Sequence, residues 1–478
     1  MTNSKHYQSP FSDRYASEEM SYLFSPYFKF TTWRKLWIAL AKSQKALGLP
    51  ITDTQVKSME AACDKLDLEK AKEYEKKFRH DVMAHIHAFG DQCPEAHGII
   101  HLGATSCFVT DNTDLIQMNE GLKLLRNKLL QIIRQLHPLA QEHAALACLS
   151  YTHFQPAQPT TVGKRVCLWL QDLLLDFYEF EHCIEHLRFL GVKGATGTQA
   201  SFLSLFQGNT QHVKKLEELV AKEMGFSRVF SISGQTYTRK QDIRILSTLS
   251  SFAASAHKFA TDLRLLAHLK EIEEPFAETQ VGSSAMPYKR NPMRSERICG
   301  LARFLISLNE NPLYTEATQW FERSLDDSAN RRITLPEAFL SADAILDLLC
   351  NLTAGLIIHP KIIQKHLDEE LPFLATEHIL MEAVKKGKDR QHIHERLRIH
   401  SLGACHQIKE EAKPNDLLER IIQDREIGLS SAEINALMSE GSFIGCSIQQ
   451  THDFLNAEVS PLLKKYEHIS RYFAQVLI

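Results

Sequence analysis

The sequence predicts an all-α protein of three helical domains around a central bundle of long helices, and three observations carry that expectation. Apolar residues recur at alternating spacings of four and three along several extended runs. Proline breaks shorten the helical pattern before residue 105 and after Ile358, and no β-rich segment, low-complexity tract or tandem repeat stands out. A chain of 478 residues exceeds one ordinary core and, at roughly 150 residues per domain, divides into about three.

In chain order, Pro10, Pro26, Pro50 and Pro94 interrupt the first segment, which reads as an N-terminal helical domain over residues 1–105. The central domain, 106–358, opens with Leu122, Leu125, Leu129, Ile132 and Leu136. It continues with Val166, Leu170, Leu173, Phe177, Phe180, Ile184 and Leu187, then Ile245, Leu249, Phe252, Ala256, Phe259, Leu263 and Leu266. A further run is Phe339, Ala342, Leu346, Leu349, Thr353 and Leu356. Such repeats set helices side by side at shallow angles with knobs in holes. Helices of about 25 residues span roughly 40 Å, which suits either a monomeric bundle core or, the favoured reading, a bundle shared between subunits. After Ile358, Pro360, Pro372, Pro414 and charged turns such as Lys386-Gly387-Lys388-Asp389-Arg390 mark a C-terminal helical domain, 359–478.

Composition excludes several function classes. A formal charge of −3 argues against broad binding to nucleic acid or anionic membranes. The N-terminus has no signal-type apolar stretch and no run approaches a membrane span, so a cytoplasmic location is expected. The ten cysteines are scattered without a Cys-x-x-Cys, which predicts reduced thiols and no structural zinc.

Chemistry concentrates in a few segments. Residues 282–292, Gly-Ser-Ser-Ala-Met-Pro-Tyr-Lys-Arg-Asn-Pro, gather two hydroxyls, a lysine and an asparagine among helix breakers. Gly282 and Pro287 keep backbone N–H groups out of a helix, while Ser283, Ser284 and Lys289 supply a removable proton, donors and a fixed positive charge, a set suited to stabilising an anion. In Thr152-His153-Phe154-Gln155-Pro156-Ala157-Gln158-Pro159, two prolines stiffen the approach to a helix starting near Thr160, so His153 sits on a rigid turn where an imidazole can act as acid or base. With 23 histidines in the chain, the bland alternative is a surface or packing residue.

Arg79-His80-Asp81 suits binding of a phosphate or carboxylate, with a solvated helix start as the alternative. A metal reading through His80, His85 and His87 is weaker, since spacings of five and two do not put three ligands on one helical face. Gly191-Val192-Lys193-Gly194-Ala195-Thr196-Gly197-Thr198-Gln199 fits neither the dinucleotide fingerprint nor the P-loop, leaving a close-approach loop or a plain helix-to-helix turn. Arg294, Arg297, Arg303, Arg323, Asp326, Asp327, Ser328, Arg331 and Arg332 contain forks for carboxylate or phosphate, although most helical arginines are solvated or paired.

The 282–292 loop resembles the signature of the fumarase/aspartase superfamily of lyases, with Gly282, Ser283, Ser284, Met286, Lys289 and Asn291 at every specified position. Together with Arg79 to His85, His101 to Cys107, Thr152 to Gln158, Gly234-Gln235-Thr236-Tyr237 and Arg294 to Arg297, it resembles the adenylosuccinate lyase family of eukaryotic type over essentially the whole chain. That resemblance implies a C–N lyase releasing fumarate from adenylosuccinate, to give AMP, and from succinylated aminoimidazole carboxamide ribotide (SAICAR), to give the carboxamide (AICAR). It further implies a homotetramer with a twenty-helix core, active sites shared between subunits, and no metal or organic cofactor. Carried over motif by motif, it makes Ser283 the base, His153 the acid, Lys289 the anion-stabilising cation and His80 a support for the substrate or the acid. Substrate contacts fall on Arg14, Tyr15, Arg79, His80, Asp81, Thr105, Ser106, Gln235, Arg297, Arg323, Ser328 and Arg332. Whether Ser283 or Ser284 moves the proton stays open. The rival readings are a sibling of the superfamily such as argininosuccinate lyase, fumarase or aspartase, and a catalytically silent structural protein on the same scaffold.

Overall fold

The computed structural model describes residues 7–276, 280–281, 284–438 and 443–474. Helices α1 (Glu18–Leu23), α2 (Pro26–Ala46), α3 (Asp53–Ala62), α4 (Leu68–Phe78) and α5 (Asp81–Gly90) precede α6 (Ser106–Glu142), which runs for 37 residues. A hairpin of β1 (Ala147–Thr152) and β2 (Gln155–Thr161) leads into α7 (Val162–His186), α8 (Ala200–Leu205), α9 (Thr210–Glu223) and α10 (Lys240–His268). Next come β3 (Ile272–Glu273), α11 (Met293–Leu308), α12 (Glu310–Ala317), α13 (Asp326–Thr353) and β4 (Ile357–Ile358). The chain ends with α14 (Pro360–Leu374), α15 (Thr376–Lys385), α16 (Arg390–Glu411), α17 (Leu417–Gln423), α18 (Ser431–Leu437), α19 (Ser447–Phe454) and α20 (Ser460–Lys465).

The heptad positions are the buried ones. Leu122, Leu125, Leu129, Ile132 and Leu136 of α6 share one apolar core with Val166, Leu170, Leu173, Phe177 and Phe180 of α7 and with the whole α10 run from Ile245 to Leu266. Each fully buried leucine or phenylalanine stabilises the fold by about 1.5–3 kcal/mol, so a run repeated every turn outweighs the marginal stability of an isolated helix. Helix α13 is buried on all sides from Ala338 to Cys350, the mark of a central helix rather than a surface one. Its apolar run continues past the helix end at Thr353, and Leu356 packs on the core from the following turn.

Polar contacts fix the directions. Asp111 of α6 and Asp327 of α13, both near helix starts, share Arg239, while near the other ends Thr353 Oγ1 donates to Gln135 Oε1 at 2.6 Å. Helices α6 and α13 therefore run parallel. Helix α7 returns antiparallel, its far end reached where Leu190 N donates to Asn112 Oδ1 at 3.0 Å. A second apolar cluster, including Ile379, Leu380, Ile393, Leu397, Leu417, Ile421 and Ile434, lies in α15 to α18, whereas Leu455, Val459, Leu462 and Tyr466 rejoin the main core.

The segment expected to be a proline-stiffened turn into a helix is instead an antiparallel hairpin, with Thr152 opposite Gln155 and α7 beginning at Val162. Pro156 and Pro159 are tolerated because a two-stranded ribbon leaves an outer edge on which a missing N–H costs nothing. A second short ladder pairs β3 with β4, tying the segment before the 282–292 loop to the end of α13. No helix among the described residues is long and apolar enough to cross a membrane, and all ten cysteines are unpaired.

Two buried charges make the core testable. Lys128, with a fully buried side chain, pairs with Asp343 at 2.5 Å and Asp347 at 2.8 Å; Tyr472 Oη donates to Asp347 at 2.8 Å and Ser17 N to Asp343 at 2.7 Å. Removing the ammonium strands two carboxylates, so Lys128→Met is expected to cost about 3–5 kcal/mol, read as a drop in the denaturant midpoint. Asp176 of α7 is buried with Oδ2 unpartnered, and burial pushes its carboxyl from the ordinary range up to about 7. The folded value lies above the unfolded one, so its contribution is complete below about pH 4 and is lost as pH rises through about 7. Asp176→Asn is accordingly expected to raise the melting temperature at pH 8 more than at pH 5; an equal change at both would remove the titration from the explanation.

Candidate active site

The expected site residues fall into three groups at three heights along the bundle. The first surrounds the start of α6. Thr105, extended at φ −117°, makes no side-chain capping bond, so N–H groups of the first turn remain available and the positive end of the helix dipole faces outward. Helix α4 ends on Arg79 in the left-handed region at φ 55°, and the next residue, His80, already caps α5. His80 Nδ1 accepts from Met83 N at 3.4 Å, which assigns the proton to Nε2, 3.3 Å from Ser106 Oγ. Asp81 Oδ1 accepts from Val82 N at 2.8 Å, and its other oxygen stands 3.6 Å from Arg332.

Backbone packing brings Gln235 and Arg323 to the same place. A Cβ on Gly197 would come within 1.9 Å of Ser233 O, and one on Gly234 within 2.5 Å of Glu322 O. The 191–199 segment, residues 233–235 and residues 320–323 are thus stacked backbone on backbone, with Gln235 N donating to Glu322 O at 3.0 Å. The Gln235 amide is clamped at both ends: Nε2 donates to Ala195 O at 3.0 Å, and Oε1 accepts from Cys107 Sγ at 3.4 Å. Arg323 donates to Asp327 at 3.1 Å, and Ser328 occupies the first turn of α13.

Beneath this group lies a buried ionic network that sequence reading did not identify as scaffold. Arg239 bridges Asp111 (2.9 Å) and Asp327 (2.6 Å), joining the starts of α6 and α13. Arg331 pairs with Asp242 (2.7 Å) and Asp114 (2.9 Å) and donates to Tyr237 Oη. Asp111 and Asp327 stand far apart in the chain, so no local pattern announces their meeting.

The second group is Arg14, Tyr15 and Arg297. Arg14 and Tyr15 end a short helical turn, Phe11–Tyr15, pinned by Phe11 against Phe304 at 5.5 Å, and the Arg297 guanidinium lies 6.0 Å from the Tyr15 ring centre. The neighbouring Ser17 is bonded to Asp343, 11 residues along α13 from Arg332 and 15 from Ser328, a separation of roughly 16–22 Å from those members of the first group. Lys289 precedes α11 on exposed, non-helical chain; Arg290 reaches Glu273 at 3.5 Å, and Glu274 caps α11 by accepting from Arg294 N (3.1 Å) and Ser295 N (2.6 Å). Ser283, with Gly282, lies outside the described residues.

His153 forms the third group by itself, at the exposed hairpin tip. His153 and Phe154 have φ 54° and 56°, the two left-handed positions of a type I′ turn. Side chains there cost about 1 kcal/mol or more each and are typically retained where a side chain must be aimed. The tip follows the far end of α6. A 37-residue helix is about 55 Å long and the ten residues after its cap reach at most about 36 Å, so His153 stands at least about 20 Å from Ser106 in one chain.

The alternative metal reading does not assemble. His85 is buried against Phe30 (ring centres 3.8 Å apart), and burial pushes its pKa down to about 4. His87 packs on Phe78 at 4.8 Å while His80 caps α5. No group of three or more His, Cys, Asp or Glu among the described residues is placed to hold a metal ion.

Comparison with known proteins bears on this arrangement as a whole. Residues 20–305 match a family model described as lyase, and residues 372–454 match one described as adenylosuccinate lyase C-terminus. The chain is 50% identical over 470 residues to adenylosuccinate lyase of Saccharomyces cerevisiae, covering 98% of each chain, and 49% identical over 469 residues to that of Schistosoma mansoni, again 98% of each. Among solved structures, a fumarate lyase from Mesorhizobium sp. BNC1 superposes with a TM-score of 0.80 at 22% identity, covering 94% of this chain and 99% of that one. The 3-carboxy-cis,cis-muconate lactonizing enzyme of Pseudomonas putida superposes with a TM-score of 0.82 at 21% identity, covering 97% and 100%. These two carry the fold alone.

The stacked backbones generate a prediction. Gly234→Ala is expected to push residues 233–235 off Glu322 and misplace Gln235 and Arg323. Shifts of about 1 Å in such groups cost roughly 100-fold in turnover. Steady-state kinetics on the folded variant, verified by circular dichroism, checks this, and near-normal turnover would mean the contact does not position the site.

Proposed function

From the premise that the chain belongs to the adenylosuccinate lyase family of the fumarase/aspartase superfamily, we infer that it is a C–N lyase of purine biosynthesis, releasing fumarate from adenylosuccinate to leave AMP and from SAICAR to leave AICAR. The observation that carries this reading is identity of about half over 98% of the chain to curated enzymes of that name. The first site group supports it in kind: arginines, hydroxyls and an amide converge on an open helix N-terminus, the donor set for a phosphate and two carboxylates.

In the proposed mechanism Ser283, as an alkoxide, removes the proton from the carbon beside a carboxylate of the succinyl group. The electron pair left behind delocalises into that carboxylate, which then carries two negative charges. Lys289 and N–H groups of the Gly282–Ser284 segment stabilise this species, each well-aimed donor contributing about 3 kcal/mol. Its collapse forms the carbon–carbon double bond of fumarate and breaks the carbon–nitrogen bond, while His153 protonates the leaving nitrogen. His80, already bonded to Ser106, supports the substrate or the acid. The reaction as written needs no metal or organic cofactor.

We further propose a cytoplasmic homotetramer with domains 1–105, 106–358 and 359–478, whose central helices assemble into a twenty-helix core, each active site taking its groups from different subunits. Two facts support sharing: the first group cannot meet His153 within one chain, and α7 turns an apolar stripe of Leu168, Leu175 and Tyr178, 54%, 60% and 48% exposed, away from its own core. Ser283→Ala and His153→Ala are each expected to lose most turnover while keeping the native oligomer. Mixing the two inactive proteins should restore part of it, because some sites in mixed oligomers receive both intact residues. Absence of recovery after subunit exchange verified by mass spectrometry would count against shared sites.

A further inference from the structure

Lys29 of α2 faces the first site group, although nothing in its sequence surroundings marks it. Its ammonium lies 5.4 Å from the Trp33 ring centre and 5.6 Å from that of Phe30, a flank that keeps water from one side of the charge. The charged groups acting on it are Asp114, Arg332, Asp81 and Arg331, and burial lowers its pKa. The carboxylates are committed elsewhere: Asp114 to Arg331 at 2.9 Å, Asp81 to Val82 N at 2.8 Å and to Arg332 at 3.6 Å. Among the described residues Lys29 forms no ion pair within 4.0 Å.

We propose that Lys29 is a further substrate-binding residue, donating to an oxygen of the nucleotide phosphate beside Arg332. The inference rests on the site reading given above and extends it by one residue. Charge selects phosphate over carboxylate. With Arg331 and Asp114 cancelling, Lys29 and Arg332 against the single charge of Asp81 leave one positive charge in excess, and Arg79, two residues before Asp81 in the chain, brings a second, matching a phosphate monoester of about −1.5 to −2. A compact ammonium also suits a single phosphate oxygen, leaving the planar arginine fork to bind two.

The test is AMP and fumarate binding by calorimetry to wild type, Lys29→Met and Lys29→Arg, alongside turnover of adenylosuccinate. Loss of a charge-assisted bond predicts AMP affinity about ten- to a hundred-fold weaker in K29M, fumarate affinity within two-fold of wild type, a KM that rises more than kcat falls, and partial recovery of AMP binding in K29R. AMP affinity within two-fold of wild type in K29M, or equal weakening of AMP and fumarate, overturns the proposal and leaves Lys29 a structural neighbour of Asp81. Should K29M not fold, Lys29→Gln is read in the same way. Wild-type protein that binds AMP but does not cleave adenylosuccinate would instead defeat the functional reading, so the two failures are distinct.

Discussion

The length of α6 is the constraint on which the rest depends. One uninterrupted helix of 37 residues carries Thr105 and Ser106 at its start and delivers the chain to the His153 hairpin at its end. A rod of about 55 Å cannot bring its two ends together. The apolar stripe that makes α6 a rod therefore also separates the expected site residues: Thr105 and Ser106 at one end, the His153 imidazole beyond the other, and Lys289 on the segment whose Arg290 and Arg294 meet Glu273 and Glu274.

At the α6 start, the positioning problem is met with buried charge. Arg239 and Arg331 are almost without solvent contact and bridge carboxylates on α6, α10 and α13. Ion pairs of this kind contribute little net stability, because desolvation offsets most of their attraction. Their value is geometric. A guanidinium held by two carboxylates fixes two helices in register and rotation, and the helix starts so fixed are those that present Ser106, Arg323 and Ser328. Apolar packing alone would tolerate small slides of α13 along α6; the Arg239 bridge does not. The same logic explains why Asp327 takes both Arg239 and Arg323, one holding the scaffold and the other its exposed neighbour.

What could be read from the sequence follows from the range of the interactions involved. The long helices were legible because the heptad repeat is local and dense. The 282–292 loop and the His153 segment announced themselves by residue types that packing does not require. The hairpin was missed because two prolines in seven residues argue against a strand unless an edge is known to be free. The ionic scaffold was missed because its partners are distant: Asp111 meets Arg239 across 128 positions, and Arg239 meets Asp327 across 88. Lys29 was invisible for the same reason, as its neighbours belong to three other helices.

The hairpin and the α6 start together suggest why the proposed chemistry is divided. A histidine at a two-residue turn of paired strands has few degrees of freedom apart from its own side-chain torsions, so its aim is set by the hairpin as a rigid arm. Such an arm is useful only if its target is equally fixed, and the α6 start is braced by the buried Arg239 and Arg331 bridges. On the proposed assembly, rigid arm and rigid cradle come from different subunits, and their mutual placement depends on the bundle interface alone. Precision at the reacting atoms is then a property of packing between long helices, the element of this fold least able to deform.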